Sequence, residues 1–124
     1  GKDSPPSTPQ SIEGYKNYAV AITGDLLKEV GGNELELELW NEYNNYGSWF
    51  NHDNQPASMY YELIKETYPA VKEKYPSVRM WGMSTIGVDS NWIKQVLDLG
   101  GGEYMDGISI HPYTFTLMPD WRRY

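Results

Sequence analysis

Cysteine is absent from all 124 residues, which excludes a disulfide framework and a thiolate metal site and leaves the redox compartment unreadable from thiols. Histidine is scarce as well, at two residues. His52-Asp53 and His111 do not form a ligand-spaced motif, so neither a metal nor a cofactor is expected, and a surface loop is the plainer account of His52 and Asp53. Basic charge is in short supply. The 10 Lys and Arg against 17 Asp and Glu give a formal net charge of −7, the wrong sign for a phosphate backbone, so no nucleic-acid partner is expected. Long apolar runs are also missing, and the lead "GKDSPPSTPQ" has no hydrophobic signal core. No membrane partner is expected from this stretch of sequence, and secretion stays open.

Aromatic residues, by contrast, are plentiful at 15%, with 11 Tyr and 5 Trp. That is high for a generic core and expected where flat rings meet a ligand such as a sugar. The length and the 40% hydrophobic content suit a single core, hence one domain or part of one over residues 1–124, with an irregular proline-rich lead-in over 1–10. Ser11 reads as a helix N-cap. Tyr15, Tyr18, Ala19, Ile22, Leu26 and Val30 then recur at helical steps until Gly31-Gly32 stops the helix. A strand from Leu35 to Trp40 leads into a polar loop, Asn41 to Gln55. Pro56 opens a second helix to about Tyr75, with Tyr60, Leu63, Ile64, Thr67 and Val71 on its apolar face and a bend expected at Pro69. Val78 to Ser84 reads as the second strand, Asn91 to Leu99 as a third helix ended by Gly100 to Gly102, and Met105 to His111 as the third strand. Alternation of this kind implies an α/β fold with parallel strands and right-handed crossovers.

Strand parity says more. Successive side chains point to opposite faces, so Leu35, Leu37 and Leu39 share one face and Glu36, Glu38, Trp40 and Glu42 the other. The third strand divides Ile108 and Ile110 from Gly107, Ser109, His111 and Tyr113. The second divides Val78 and Met80 from Arg79, Trp81 and Met83. Each strand thus has an apolar face, expected to be buried against helices, and a polar, aromatic face. A doubly wound sheet wants apolar residues on both faces, whereas a (β/α)8 barrel has an interior whose upper end holds the active site. Carboxylates in such an interior need partners, and Arg79 is the expected partner of Glu38. The competing account of the alternation is a sheet covered on one side only, with Glu36 and Glu38 facing water.

The segment "LELWNEYN" resembles the fourth strand of the retaining glycoside hydrolases of TIM-barrel clan A, of the family 5 and 39 type, in which a Trp-Asn-Glu-Pro-Asn-like sequence ends that strand. Tyr43 stands where that clan often has Pro. The order continues in agreement: "YYELIKETYPAVKEKYP" looks like the fourth helix, "VRMWGMS" the fifth strand and "DGISIHPYTF" the sixth. The resemblance implies a partial (β/α)8 TIM barrel running from about the third helix to the sixth strand, with Glu42 as catalytic acid/base, Asn41 on the sugar 2-hydroxyl, and His111 and Tyr113 lining the sugar site. It also implies a carbohydrate substrate, and an extracellular or periplasmic location is favoured on that ground alone.

Glycoside cleavage gives these residue types their reasons. A carboxylic acid must protonate the leaving oxygen, helped by an apolar wall, for which Trp40 and Trp81 are the candidates. An amide can both donate to and accept from a sugar hydroxyl. A retaining enzyme also needs a nucleophilic carboxylate about 5–5.5 Å from the acid. In the resembled clan it ends the seventh strand, so this chain is expected to carry the acid/base without the nucleophile. Glu103 and Asp106 lie at the wrong end of the last strand, and Asp53 and Asp89 sit in loops. Trp49 and Phe50 read equally as a sugar-stacking platform or a hydrophobic plug, Trp92 as packing at a helix start, and Trp121-Arg122-Arg123 as loop. An open barrel would pair with the remaining barrel segments or self-associate through its strand edges. The alternative function is a noncatalytic carbohydrate-binding or structural α/β domain.

Overall fold

The computed structural model describes residues 5–30, 35–45 and 56–113. Helix α1, Pro9–Val30, begins before Ser11. Thr8 is its cap: the Thr8 hydroxyl accepts from the Ser11 N–H at 3.2 Å, while the Thr8 N–H donates to the Ser11 hydroxyl at 2.9 Å. This reciprocal arrangement satisfies two end-of-helix donors, and Pro9 occupies the first turn, where its missing N–H costs nothing. Ser11 is therefore the capping partner and not the cap. The buried stripe is also rotated from the expected one. Ile12, Ala19 and Thr23 are buried, while Tyr18 and Val30 are exposed.

Strand β1, Glu36–Glu38, is shorter than expected. Helix α2, Ala57–Lys74, buries Tyr60, Leu63, Ile64, Thr67 and Val71 and stays helical through Pro69. Strand β2 spans Arg79–Ile86. Helix α3, Ser90–Asp98, is capped by the Asp89 carboxylate, which accepts from the Trp92 N–H at 3.1 Å. It closes at Gly100, whose φ of 94° is left-handed, a conformation that glycine adopts without a Cβ penalty. Strand β3 is Gly107–His111. The sheet runs in the order β1-β2-β3 with all pairings parallel. Helix and parallel strand alternate as in part of a (β/α) barrel.

Below the candidate site, Tyr43, Tyr60 and Trp92 stack their rings at centroid distances of 5.1 to 6.5 Å. Trp92 thus packs at its helix start as the sequence indicates. At the amino end of β3, the Asp106 carboxylate accepts from Lys72 at 2.5 Å, the Tyr68 hydroxyl at 2.8 Å and the Met80 N–H at 2.8 Å. This pins α2 and β2 to the entry of β3. Burial and the Asp106 bond together push the Tyr68 phenol up to about 12.

Two expectations need correction. Leu39 is buried and Leu37 partly so, but Ile108 and Ile110 are 46% and 38% exposed. Among the described residues no helix covers that face of β3. Arg79 pairs with Glu36 at 3.0 Å, not with Glu38, because the register sets Glu36 directly opposite Arg79 and Glu38 opposite Trp81.

Candidate active site

Backbone strain marks the carboxyl ends of β1 and β2. Among the described residues, the non-glycine positions with positive φ are Trp40 at 70°, Glu42 at 50°, Met83 at 71° and Ser84 at 41°. Each such position costs on the order of 1–3 kcal/mol and persists only where its surroundings hold it. The Leu39 N–H still donates to the Trp81 carbonyl at 2.8 Å, and pairing resumes only when the Glu42 N–H reaches the Ser84 carbonyl at 2.9 Å. Trp40 and Asn41 are bypassed. On β2, the register against β3 shifts between Met83 and Thr85. A turn and a register shift thus lie side by side, and irregularities of this kind re-aim the side chains that follow them.

The restraints come from below and from the side. The buried Tyr60 hydroxyl donates to the Leu39 carbonyl at 2.9 Å and accepts from the Met83 N–H at 2.7 Å. It therefore serves two backbone groups beside these irregularities. Burial pushes its phenol pKa far up. Asn44 accepts from the Ile86 N–H at 3.1 Å and donates to Asp89 at 3.0 Å, tying the segment after Glu42 to the end of β2 and the cap of α3.

These restraints deliver Glu42 to His111. The His111 Nδ1 lies 3.1 Å from Glu42 Oε1, and its Nε2 lies 3.3 Å from Glu38 Oε2. The Ser109 hydroxyl donates to the other Glu38 oxygen at 2.5 Å. Tyr113 hydrogen-bonds Glu42, and the carboxylate holds its phenolic proton on, raising its pKa. The Tyr113 ring meets the His111 ring edge-on at 6.2 Å. Side-chain exposure is 15% for Glu42 and 21% for His111, sheltered yet reachable. Desolvation alone would pull the imidazolium down, but hydrogen bonds to Glu42 and Glu38 and the charges of both outweigh it, so the His111 pKa is raised.

The structure thus brings Glu42, His111 and Tyr113 together, and Asn41 stands exposed beside them. The two indoles go elsewhere. Trp40 turns its ring edge-to-face onto Tyr15 of α1 at 5.4 Å, since the left-handed turn at Trp40 breaks the parity that would have kept it with Glu38. Trp81 lies toward the amino end of the sheet, where its indole N–H donates to Glu36 at 2.9 Å and its ring packs so closely on Gly107 that a Cβ there would come within 2.2 Å. Sequence reasoning missed Tyr60, Asn44 and the Ser109–Glu38 bond. A buried tyrosine needing a partner for its hydroxyl was the one available signal. Asp89 is a helix cap and not a catalytic acid. Trp49, Phe50, His52, Asp53 and Trp121 to Arg123 lie outside the described residues. Among the described residues, no group of His, Asp and Glu is arranged to hold a metal ion, and no helix is long and apolar enough to cross a membrane.

No family model and no curated protein matches the chain. Solved structures do. The chain is similar to a monomeric beta-xylosidase from Caulobacter crescentus CB15, with a TM-score of 0.61 and 26% identity over 82% of this chain and 21% of that one. It is similar to a family 39 glycoside hydrolase from the gut symbiont Bacteroides cellulosilyticus WH2, with a TM-score of 0.60 and 32% identity over 88% of this chain and 21% of that one. The family 39 enzyme from Xanthomonas axonopodis pv. citri, with a TM-score of 0.63 and 23% identity over 82% of this chain and 20% of that one, supports the fold alone. The chain spans about a fifth of the length of these structures. Its helices and parallel strands match part of their TIM barrel.

Proposed function

We propose that this chain carries the acid/base portion of a retaining glycosidase site, with Glu42 as the acid/base. The single observation behind this reading is the convergence of Glu42 with His111 and Tyr113 at the carboxyl ends of parallel strands, where barrel active sites sit. In the first half of the reaction the glycosidic C–O bond breaks. A protonated Glu42 gives its proton to the departing oxygen, and a carboxylate from outside the described residues takes the anomeric carbon. In the second half Glu42 receives a proton from the water that releases the sugar. Exposed Asn41 is suited to bind the sugar 2-hydroxyl. His111 and Tyr113 orient the Glu42 carboxyl, and His111 shares a proton with it. The substrate is a carbohydrate, and the name of the Caulobacter enzyme makes β-xylosides the first to try.

A noncatalytic carbohydrate-binding domain is the second reading, and one observation favours it: the carboxylates gathered at this site among the described residues, Glu38 and Glu42, are engaged by one imidazole. Neither is left to face the other across a sugar.

The test is aryl β-xyloside hydrolysis by the chain alone and by a chimaera in which it replaces the matching segment of the Caulobacter enzyme. We expect no turnover from the chain alone, since an acid without its nucleophile cannot form a glycosyl intermediate. The chimaera should turn over. Its Glu42→Gln variant should lose roughly 10²–10⁴-fold, the usual contribution of general acid catalysis, and the loss should shrink for activated leaving groups that need little protonation. An active chimaera indifferent to Glu42→Gln would rule the reading out.

A further inference from the structure

His111 is held at both ring nitrogens by carboxylates, and the two carboxylates are not equivalent. The charged or titratable groups that face the ring are Glu38 from β1, Glu42 from the extension of β1, and Tyr113 just beyond β3. Just past β2, the Gly87 N–H fixes the His111 carbonyl at 2.7 Å and so fixes where the ring starts. Glu38 is anchored independently of the histidine by the Ser109 hydroxyl at 2.5 Å, a donor that can only be served by an accepting oxygen. Its side chain is 43% exposed, whereas that of Glu42 is 15% exposed. Glu38 thus stands open to water on the outer side of the ring and Glu42 is enclosed on the inner side.

We propose that Glu38 is a positioning residue that accepts a hydrogen bond from the Nε2–H of His111, keeps that proton on Nε2, and thereby turns the Nδ1 lone pair toward Glu42. With the Nε2 proton held toward Glu38, one further proton is shared between His111 Nδ1 and the Glu42 carboxyl. When Glu42 is in the protonated form that the proposed acid role requires, its O–H donates to the Nδ1 lone pair of the neutral ring. In the imidazolium the shared proton rests on Nδ1 and both ring nitrogens donate. No bond other than this O–H or N–H is made or broken, and no co-reactant is needed. The opposite tautomer would present an N–H to Glu42 and hold it as a bare carboxylate, unable to protonate a leaving oxygen. Orientation of an imidazole by a carboxylate at its far nitrogen is a general way to fix which nitrogen does the work. The functional meaning of the arrangement rests on Glu42 being the acid/base. The tautomer itself does not.

The experiment is imidazole ¹⁵N NMR on the full 124-residue chain, labelled at histidine in a His52→Gln background so that His111 alone reports, titrated from about pH 5 to 9, the range in which histidine changes charge. We expect His111 to titrate above the ordinary value of about 6.5 and to appear as the Nε2–H tautomer when neutral. Glu38→Gln should lower the midpoint and raise the Nδ1–H fraction several-fold. Glu38→Asp should restore part of the original behaviour, and Ser109→Ala should move both readouts in the same direction as Glu38→Gln but less. A dominant Nδ1–H tautomer in the starting chain, or an unchanged tautomer in folded Glu38→Gln, overturns the proposal. If Glu38→Gln does not fold, the starting tautomer and Ser109→Ala decide. An active chimaera insensitive to Glu42→Gln, together with a tautomer that responds to Glu38, would sink the catalytic reading and leave the positioning intact. Loss with Glu42→Gln and no response to Glu38 would do the reverse.

Discussion

His111 and Glu42 stand 69 positions apart along the chain and 3.1 Å apart between Nδ1 and Oε1. Their meeting depends on two strands that are not neighbours, since β2 lies between β1 and β3. The left-handed turns after β1 carry Glu42 past the end of β2 to His111, the last residue of β3. The contact therefore depends on the turn after β1 and on the register shift of β2 against β3.

Stability should depend on pH through this contact. Because the folded His111 pKa is raised, its contribution is fully present below the unfolded value of about 6.5 and is lost as pH rises through the folded value. Urea unfolding of the chain should show stability declining with pH above about 6.5, and the His111→Gln variant should lack that component. Parallel pH profiles for the two proteins would refute the assignment.

Tyr60→Phe should cost about 2–4 kcal/mol. The change deletes a buried hydroxyl that serves the Leu39 carbonyl and the Met83 N–H, and each abandoned buried group costs about 1–3 kcal/mol. Because those groups hold the strained turns, the Glu42–His111 contact should loosen as well. Thermal melts give the first effect, and a changed His111 titration midpoint gives the second. A loss under about 0.5 kcal/mol, typical of an uninvolved surface site, would mean that water substitutes for the hydroxyl.

Asp106→Asn should destabilise by about 1–3 kcal/mol, as expected when a charged acceptor with several donors is neutralised. Desolvation works against the Asp106 carboxylate, but its bonds from Lys72, Met80 and Tyr68 prevail and lower its pKa. Its contribution is thus present above the unfolded value of about 3.9 and is lost as pH falls through the folded value. Acid titration of stability should be steeper in the parent than in Asp106→Asn.

The chain in isolation should self-associate or accept complementary barrel segments. Ile108 and Ile110 are exposed on β3. Between α1 and the apolar face of the sheet a cavity of about 170 Å³ is lined by Tyr18, Ile22, Leu37 and Met80. Exposed strand edges and apolar faces recruit partners. Light scattering that shows a strict monomer at high concentration would count against this expectation.

The sequence by itself determined the alternation of helix and strand, the parallel order and the face each β1 glutamate takes, because these follow from local periodicity, capping and the alternation of side chains along a strand. It also singled out Glu42, His111 and Tyr113 through the Trp-Asn-Glu and His-Pro-Tyr motifs, although parity did not carry past the turn at Trp40. Tertiary structure decided what parity could not. Register, a relation between strands, gave Arg79 to Glu36 and left Glu38 for Ser109 and His111. The turn at Trp40 sent its ring to Tyr15, and a glycine 26 residues downstream of Trp81 made room for that indole far from the site. Tyr60 found its two backbone partners only once α2 lay under both strands. Local sequence encodes which way a side chain points, but a partner that arrives from another element is fixed only when the elements pack.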